Sequence, residues 1–500
     1  MQNDEESVKQ SDISVKETTE TTKNLAGKTI SGMVWKFLEK FGSQIMMLVI
    51  QIVLARILLP EEYGLVGLLT VFISISDVII LQGLTTALIQ KKSPDDSDFS
   101  SVFYANIVVS LALYGVLFIV SPLIAKFYNE PLLTNIMRVL SLNIVIGAIP
   151  AVHNAVLSRN LDFKKSFFRR MTDVLTQGIV GITLALLGWG VWAMVLSKVA
   201  GVFVGAIVLC ATVRWRPKRL FSFIKIKTLF SYSSKILGSN LLNTIFNNIN
   251  SLIIGKFYTP TDVGYYQRGQ QIPQVMMTSL DGSMTDVLYP AFSKAQSDLV
   301  LLKNALRKSV SLSMFIVLPA LMGLLVVAEP LTLILLTEKW LPSVPFMQLT
   351  CVACAFWPLS HRTHALNALG KSNVTFKLSL IGKSITLIAI FVCVGFGIYA
   401  IMIGTIISSA INLFITSHYV KKYINYSLFE LAKDVLPSLV LSCVMGAIVY
   451  AISFLGINIY LQLALQVLCG CVVYVLGAYV FKLKAFSFAL GYIKKYIKKK

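Results

Sequence analysis

Four asparagines, Asn240, Asn243, Asn247 and Asn250, follow one another at intervals of 3, 4 and 3 residues, the spacing that puts side chains on one face of an α-helix. A carboxamide carries two donors and an acceptor, so such a row suits a ligand rich in hydroxyl groups. Just downstream, Gln267, Gln270, Gln271 and Gln274 share a similar face, beside Tyr265, Tyr266 and Arg268. The competing reading is hydrogen bonding between helices, worth about 0.6 kcal/mol per bond in a membrane. Charges add a second chemistry. Lys198 and Lys383 fall near the middle of apolar stretches, and Arg138, Arg268 and Arg362 lie within a few turns of such a level. Asp77, Asp173 and Asp281 are the acidic counterparts. Pairing among these groups accounts for part of the set, and a surplus of cations remains, which suits an anionic ligand. The ligand-binding candidates are therefore Asn240, Asn243, Asn247, Arg268, Gln271, Gln274, Lys198, Arg362, Lys383 and Arg138. Asp77 and Asp173 are the candidates for carrying a coupled ion.

The elements that must position these groups are membrane spans. Apolar residues make up 56% of the chain and charged residues 14%, with a mean hydropathy of +0.73, beyond what a water-soluble chain of 500 residues carries. The apolar runs are each about the 20 residues needed to cross hydrocarbon as a helix. Fourteen are expected, beginning near residues 30, 63, 99, 131, 167, 190, 228, 262, 303, 342, 372, 397, 433 and 459. Polar residues concentrate in spans 7 and 8, which hold the asparagine and glutamine rows. The corresponding first-half spans, 1 and 2, carry Ser43, Gln44, Gln51, Ser74, Ser76, Asp77 and Gln82. These four helices are the expected cavity walls.

Basic residues gather in alternate loops. Lys91 and Lys92, Arg159 to Arg170, Arg214 to Arg219, Lys294 and Lys303, Lys371, Lys421 and Lys422 fall on one side, and little beyond Lys126 and Lys339 on the other. By the positive-inside rule the rich side is cytoplasmic, and an even span count puts both termini there. The net charge of +21 then reflects topology, with no nucleic-acid partner implied. The first 28 residues are polar and are expected to be a disordered cytoplasmic tail without a cleavable signal. Residues 482–500 interleave lysines with Phe486, Phe488, Tyr492, Ile493, Tyr496 and Ile497, fitting either a helix on an anionic leaflet or a basic stop that fixes orientation.

The chain is internally duplicated. GWGVWA at Gly188 to Ala193 returns as GFGIYA at Gly395 to Ala400, and Arg56, Pro60, Glu62, Gly64, Thr85 and Leu88 return 200 residues later as Lys256, Pro260, Asp262, Gly264, Thr285 and Leu288. Pro150 and His153 pair with Pro358 and His361. Six spans separate each anchor from its copy, so the halves run parallel, with a shared site at their seam. The expected organisation is a tail over 1–28, a six-helix lobe over 29–215, a second over 216–425, spans 13 and 14 over 426–481, and a basic tail over 482–500.

All seven cysteines sit in apolar spans, where they read as small packing residues rather than a redox or metal framework. His361 and His364 have the spacing of half a metal site, but no partner carboxylate is evident, which favours hydrogen bonding between helices. No cofactor is implied. No outward loop is long enough for a catalytic domain, and the nucleophile-elbow, zinc-helix and phosphate-loop motifs are missing, which argues against an enzyme.

The segment LARILLPEEYGLVG (Leu54 to Gly67), with TTALIQ (Thr85 to Gln90) and DFSSVFYANIVVS (Asp98 to Ser110), resembles the Wzx-type polysaccharide flippases. These belong to the multidrug/oligosaccharidyl-lipid/polysaccharide (MOP) superfamily, and the resemblance extends over about residues 28 to 480. It implies an all-α polytopic membrane protein with two six-helix lobes that alternate access. It also implies a substrate, undecaprenyl-diphosphate-linked oligosaccharide, moved from the cytoplasmic to the outer leaflet of the bacterial inner membrane for cell-surface polysaccharide biosynthesis. Arg and Lys would hold the diphosphate and Asn, Gln and Tyr the sugars. Partners would be the lipid-linked oligosaccharide, membrane lipids, and the polymerase and glycosyltransferases of the same pathway. The family offers no invariant catalytic motif, and Arg56 and Lys256 are open to ligand contact or to pairing with Glu62 and Asp262. Other readings are a small-cation or drug antiporter of the same superfamily, which would need a cavity dominated by carboxylates, and a membrane-embedded glycan polymerase or ligase.

Overall fold

The structure, a computed structural model, describes residues 34–160 and 162–488, without the side chains of residues 232, 282, 283, 285–287, 289–291 and 294. The expected N-terminal tail and the end of the basic tail lie outside the described residues. Within them the secondary structure is helical, with no strand. The chain forms two units, residues 1–249 and 250–500.

Unit 1 runs through α1 (Val34–Ile57), α2 (Pro60–Gln82), α3 (Leu84–Gln90), α4 (Asp96–Tyr128), α5 (Leu133–Leu140), α6 (Leu142–Arg159), α7 (Phe163–Leu186), α8 (Val191–Thr212) and the first part of α9 (Phe223–Phe257). Unit 2 takes the rest of α9, then α10 (Pro260–Ala295), α11 (Leu299–Val326), α12 (Ala328–Leu336), α13 (Val344–Cys354), α14 (His361–Ala368), α15 (Ser372–Cys393), α16 (Ile398–Ile424), α17 (Leu428–Ala451) and α18 (Ile459–Val480).

Among the described residues, eleven helical segments are long and apolar enough to cross a membrane. The three other expected spans correspond to α7, α9 and α10, which are 24, 35 and 36 residues long but too polar to pass that test. A helix of roughly 20 residues already spans hydrocarbon, so length is no obstacle; what sets these three apart is polar side chains that cost free energy against lipid.

The duplicated anchors have duplicated local structure. Glu62 accepts from the backbone N–H of Leu59 at 2.7 Å, and Asp262 accepts from that of Thr259 at 3.1 Å. Both sit three residues into a helix opened by proline, where a carboxylate satisfies N–H groups left over by the helix and favours its positive end. Gly190 (φ +54°) precedes α8 and Gly397 (φ +104°) precedes α16, both in the left-handed half of backbone space that a side chain disfavours. Trp189 and Phe396, one residue before, are exposed at 53% and 81%, as suits aromatics at a membrane interface.

At one end of unit 1 several basic clusters meet. The Arg159 guanidinium donates to the carbonyls of Leu88, Ile89, Lys91 and Lys92 at 2.6 to 3.3 Å, closing the C-terminus of α3. Lys91 pairs with Asp98 at 2.7 Å, Lys225 with Asp95 at 2.6 Å, and Lys218 with Asp96. The N–H groups of Lys218 and Ser222 donate to the hydroxyls of Ser100 and Ser101 at 3.0 and 2.9 Å, so the connection into α9 is fastened to the start of α4. The Lys225 ammonium holds the Asp95 carboxyl well below its ordinary 3.8, and Asp95 in turn raises Lys225.

In unit 2, α17 and α18 pack on α11: Tyr474 donates to the Phe315 carbonyl at 2.8 Å, and Gly446 lets α17 approach Met322. Phe486, at the start of the basic tail, lies against the Phe315 ring at 6.1 Å between centroids, so this part of the tail folds back on the helices. Cys351 and Cys354 are buried in an apolar cluster with Met277, Val317 and Met347, and all seven cysteines are free thiols.

Candidate functional site

Unit 1 gathers three of the sequence candidates. Asp173, on α7, is 1% exposed and accepts from Arg170 Nη1 at 2.8 Å and Gln177 Nε2 at 2.7 Å. Lys198 of α8 lies within electrostatic range of both Asp173 and Asp77, and Arg169 within range of Asp173 and Glu39. The sequence could not assign these pairs, yet it carried a signal for the packing behind them. Ser197, Gly201 and Gly205 recur every four residues, the small-residue stripe that lets membrane helices approach closely. A Cβ at Gly201 would stand 2.7 Å from Asp173 Oδ1 and 2.8 Å from its carbonyl oxygen, and one at Gly205 would stand 3.2 Å from Asp173 Cβ. The missing side chains on α8 make the pocket in which the carboxylate is held.

The asparagine row begins in the same unit. Asn243 and Asn247 are exposed and Asn240 is half-buried, on a helix whose preceding turns carry Leu229 into an apolar cluster with Leu88, Val102 and Val152. Asn243 and Asn247 thus stand on the exposed side of this part of α9.

In unit 2 the glutamine row is ordered by its own members. Arg268, 5% exposed, donates to Gln271 Oε1, and its guanidinium lies 5.3 Å from the centroid of the Trp340 ring. Gln274 Nε2 donates to Gln270 Oε1 at 3.3 Å. Tyr266 is 2% exposed and meets Phe346 edge-on, so it is a packing residue as well as a polar one. Trp340 was not evident from sequence as a partner of Arg268; the two lie 72 residues apart. Gly269 seats α10 on α13, since a Cβ there would stand 2.7 Å from the Ser343 carbonyl oxygen and 2.8 Å from the Met347 nitrogen.

The remaining cations are dispersed. Arg138 donates from Nε to Ser121 Oγ at 3.2 Å and covers the Phe118 ring at 4.2 Å, so it ties α5 to α4. Arg362, 3% exposed, donates to the Leu359 carbonyl at 3.0 Å and to Ser417 Oγ at 2.6 Å, fixing α14 to α16. Lys383 is half-buried on α15, one residue after Gly382, which packs against Asn412.

One expectation needs correction. His361 does have a carboxylate neighbour: its Nε2 lies 3.2 Å from Asp281 Oδ1, 80 residues away in sequence and brought close by α10. Its Nδ1 lies 3.2 Å from Ser309 Oγ and 3.4 Å from Ser313 Oγ, the inter-helix hydrogen bonding that was expected. Among the described residues no group of three or more His, Cys, Asp or Glu side chains is arranged to hold a metal ion.

The geometry offers amide rows and buried charge rather than a reacting centre, and comparisons with known proteins agree. The succinoglycan biosynthesis transport protein ExoT of Rhizobium meliloti is 28% identical over 366 residues, 72% of this chain and 73% of that one. The lipopolysaccharide biosynthesis protein WzxC of Escherichia coli is 24% identical over 451 residues, covering 85% and 89%. Among solved structures, the lipid II flippase MurJ in an inward closed conformation matches with a TM-score of 0.71 at 16% identity, over 90% of this chain and 98% of that one. An inward-facing multidrug resistance MATE transporter of the MOP superfamily matches at 0.59, also at 16% identity, over 78% and 96%. At these identities the two structures establish the fold alone, that of a multi-pass helical membrane protein. The family described as polysaccharide biosynthesis protein matches residues 53–345, more than half of the sequence, and to that family, with its Wzx-type flippases, the chain belongs.

Proposed function

We propose that the protein flips an undecaprenyl-diphosphate-linked oligosaccharide from the cytoplasmic to the outer leaflet of the bacterial inner membrane, supplying cell-surface polysaccharide biosynthesis. It does so by alternating access of two six-helix lobes, within fourteen spans that leave both termini cytoplasmic. The observation that carries this reading is the character of α9 and α10. In an otherwise apolar chain, both are too polar to count as ordinary membrane spans. The groups responsible are largely uncharged amides, the chemistry that meets sugar hydroxyls. Asn240, Asn243, Asn247, Gln271 and Gln274 take the glycan in this scheme.

Arg268, set beside the Trp340 ring and hydrogen-bonded to Gln271, is the leading diphosphate ligand, because a guanidinium offers a fork of donors that matches phosphate oxygens. Lys383 is the second. Lys198, Arg138 and Arg362 we assign to holding the helices in register, since each faces a carboxylate or hydroxyl of its own unit. Asp173, surrounded by cations, has the same structural task, and Asp77 is left as the acid of unit 1 for ion coupling.

A diphosphate diester carries about two negative charges, and each is worth about 2.3 kcal/mol per 100 mV. Outward flipping down an inside-negative potential would thus release roughly 4 to 5 kcal/mol per 100 mV before any ion is coupled. The test is reconstitution in proteoliposomes with a lipid-linked oligosaccharide whose sugars are read by a membrane-impermeant lectin. An inside-negative potential should accelerate inside-to-outside flipping. Flipping at the rate of protein-free vesicles in every condition would refute the proposal.

A further inference from the structure

His361 is 0% exposed, yet polar groups from two other helices surround it. Asp281 of α10 stands 3.2 Å from Nε2, and Ser309 and Ser313 of α11 stand 3.2 and 3.4 Å from Nδ1. Around this group the core is apolar, with Leu306, Val310, Leu359 and Leu366 buried beside it. A plain packing position would not retain an imidazole, a carboxylate and two hydroxyls together, because each costs free energy to bury unless it is partnered.

Among the described residues, the arginines of α14 and α11 on either side of this group are engaged elsewhere. Arg362 turns to Ser417 of α16, and Arg307 of α11 is held by Asp434 at 2.7 Å and by Glu430 at 3.7 Å. On its own helix His361 faces the His364 ring at 6.4 Å between centroids. Unlike Asp173, with Arg169, Arg170 and Lys198 around it, His361 has no lysine or arginine in hydrogen-bond or ion-pair contact among the described residues. An imidazole is the side chain whose ordinary range spans neutral pH.

We infer that the His361–Asp281 pair, backed by Ser309 and Ser313, is a proton-binding site that couples transport to the proton gradient. This rests on the transport reading above. In the cycle the neutral imidazole takes one proton from outside and pairs as imidazolium with the Asp281 carboxylate. It later gives that proton to the cytoplasm and returns to the neutral form. Proton entry and outward movement of an anionic lipid both carry positive charge inward, so the two gradients reinforce each other.

Proteoliposomes separate the contributions. With the potential clamped by potassium and valinomycin, a pH gradient acid on the cis-to-product side should raise flipping by the wild-type protein. The steady-state leaflet ratio should shift about tenfold per pH unit for one exchanged proton. His361→Gln and Asp281→Asn should lose this response and keep the response to potential alone. A wild-type protein indifferent to the clamped pH gradient, or a His361→Gln variant that responds like wild type, overturns the inference while leaving the transport reading standing. If neither variant folds, nitrogen-15 NMR of the histidines in the wild-type protein decides: the His361 resonance, assigned by difference among the four histidines, should pass between its neutral and protonated forms as pH is varied. A flat His361 signal would also overturn it. Absence of flipping in all conditions would strike the transport reading instead, and the NMR titration would still report on the proton site.

Discussion

Asp173→Asn is the most informative single change in unit 1. The substitution keeps the shape and leaves an amide oxygen to accept from Gln177, so packing against Gly201 and Gly205 is preserved. What it removes is one negative charge facing Arg169, Arg170 and Lys198. Breaking a buried ion pair by deleting one partner costs about 3 to 5 kcal/mol, because the other charge stays buried and uncompensated. Two features pull the figure to the low end. Arg170 is 40% exposed, so water screens its share, and Lys198 keeps Asp77 as a second partner. The expected loss is therefore about 3 kcal/mol, roughly a hundredfold in the folding equilibrium.

Lys198→Met supplies the control. Removing both charges avoids leaving one of them uncompensated, so the double variant's loss should fall about 1 to 2 kcal/mol short of the sum of the single losses. Reversible unfolding in mixed micelles, followed by tryptophan fluorescence, measures all four corners of the cycle. Strict additivity would refute the claim that these groups form one electrostatic unit. A near-zero effect of Asp173→Asn alone would show that its charge does not hold the helices together, returning Asp173 to the coupling candidates.

Other outcomes follow from the same contacts. Arg362→Ala should lower stability by about 2 to 4 kcal/mol in the same unfolding assay, since it empties a buried site and removes the donor to the Leu359 carbonyl and to Ser417 Oγ, whereas Lys383→Ala should lower flipping at least severalfold with little change in stability. Gly269→Ala should cost about 1 to 3 kcal/mol, because the new methyl meets backbone atoms of Ser343 and Met347 that cannot rotate away. At the rim of unit 1, Asp95 has its carboxyl lowered from 3.8 and Lys225 its ammonium raised from 10.5, so the contact is complete between those ordinary values. Its carboxylate share is lost only as pH falls through the lowered value of Asp95, and its ammonium share only as pH rises through the raised value of Lys225. Hydrogen exchange over residues 214–222 should accordingly be unchanged, after correction for intrinsic rates, between about pH 5 and 8, and should accelerate in about 1 M salt, which screens exposed pairs.

Much of this protein was legible in one dimension. Helical membrane architecture follows from composition and run length, because a bilayer demands long apolar segments whatever they later touch. The duplication was visible as GWGVWA and GFGIYA, since the backbone turns at Gly190 and Gly397 depend on local conformation and so leave local signatures. The asparagine and glutamine rows were readable for the same reason: helical periodicity alone puts Asn240, Asn243 and Asn247 on one face. What each charge does was decided elsewhere. Arg138, Arg268 and Arg362 look alike in sequence, at similar depths in apolar segments. The fold gives one to Ser121, one to Trp340 and Gln271, and one to Ser417. Asp281 looked remote from His361, and although helical spacing already sets Arg170 and Gln177 beside Asp173, Lys198 joined them only when α8 lay against α7. The partner of a buried charge is set by which helices pack together and by their rotation, and that depends on contacts summed over the bundle, among them glycines such as Gly201 that carry no charge at all. A single chain records the price of burying each group in its composition, and only the packed helices determine which neighbour compensates it.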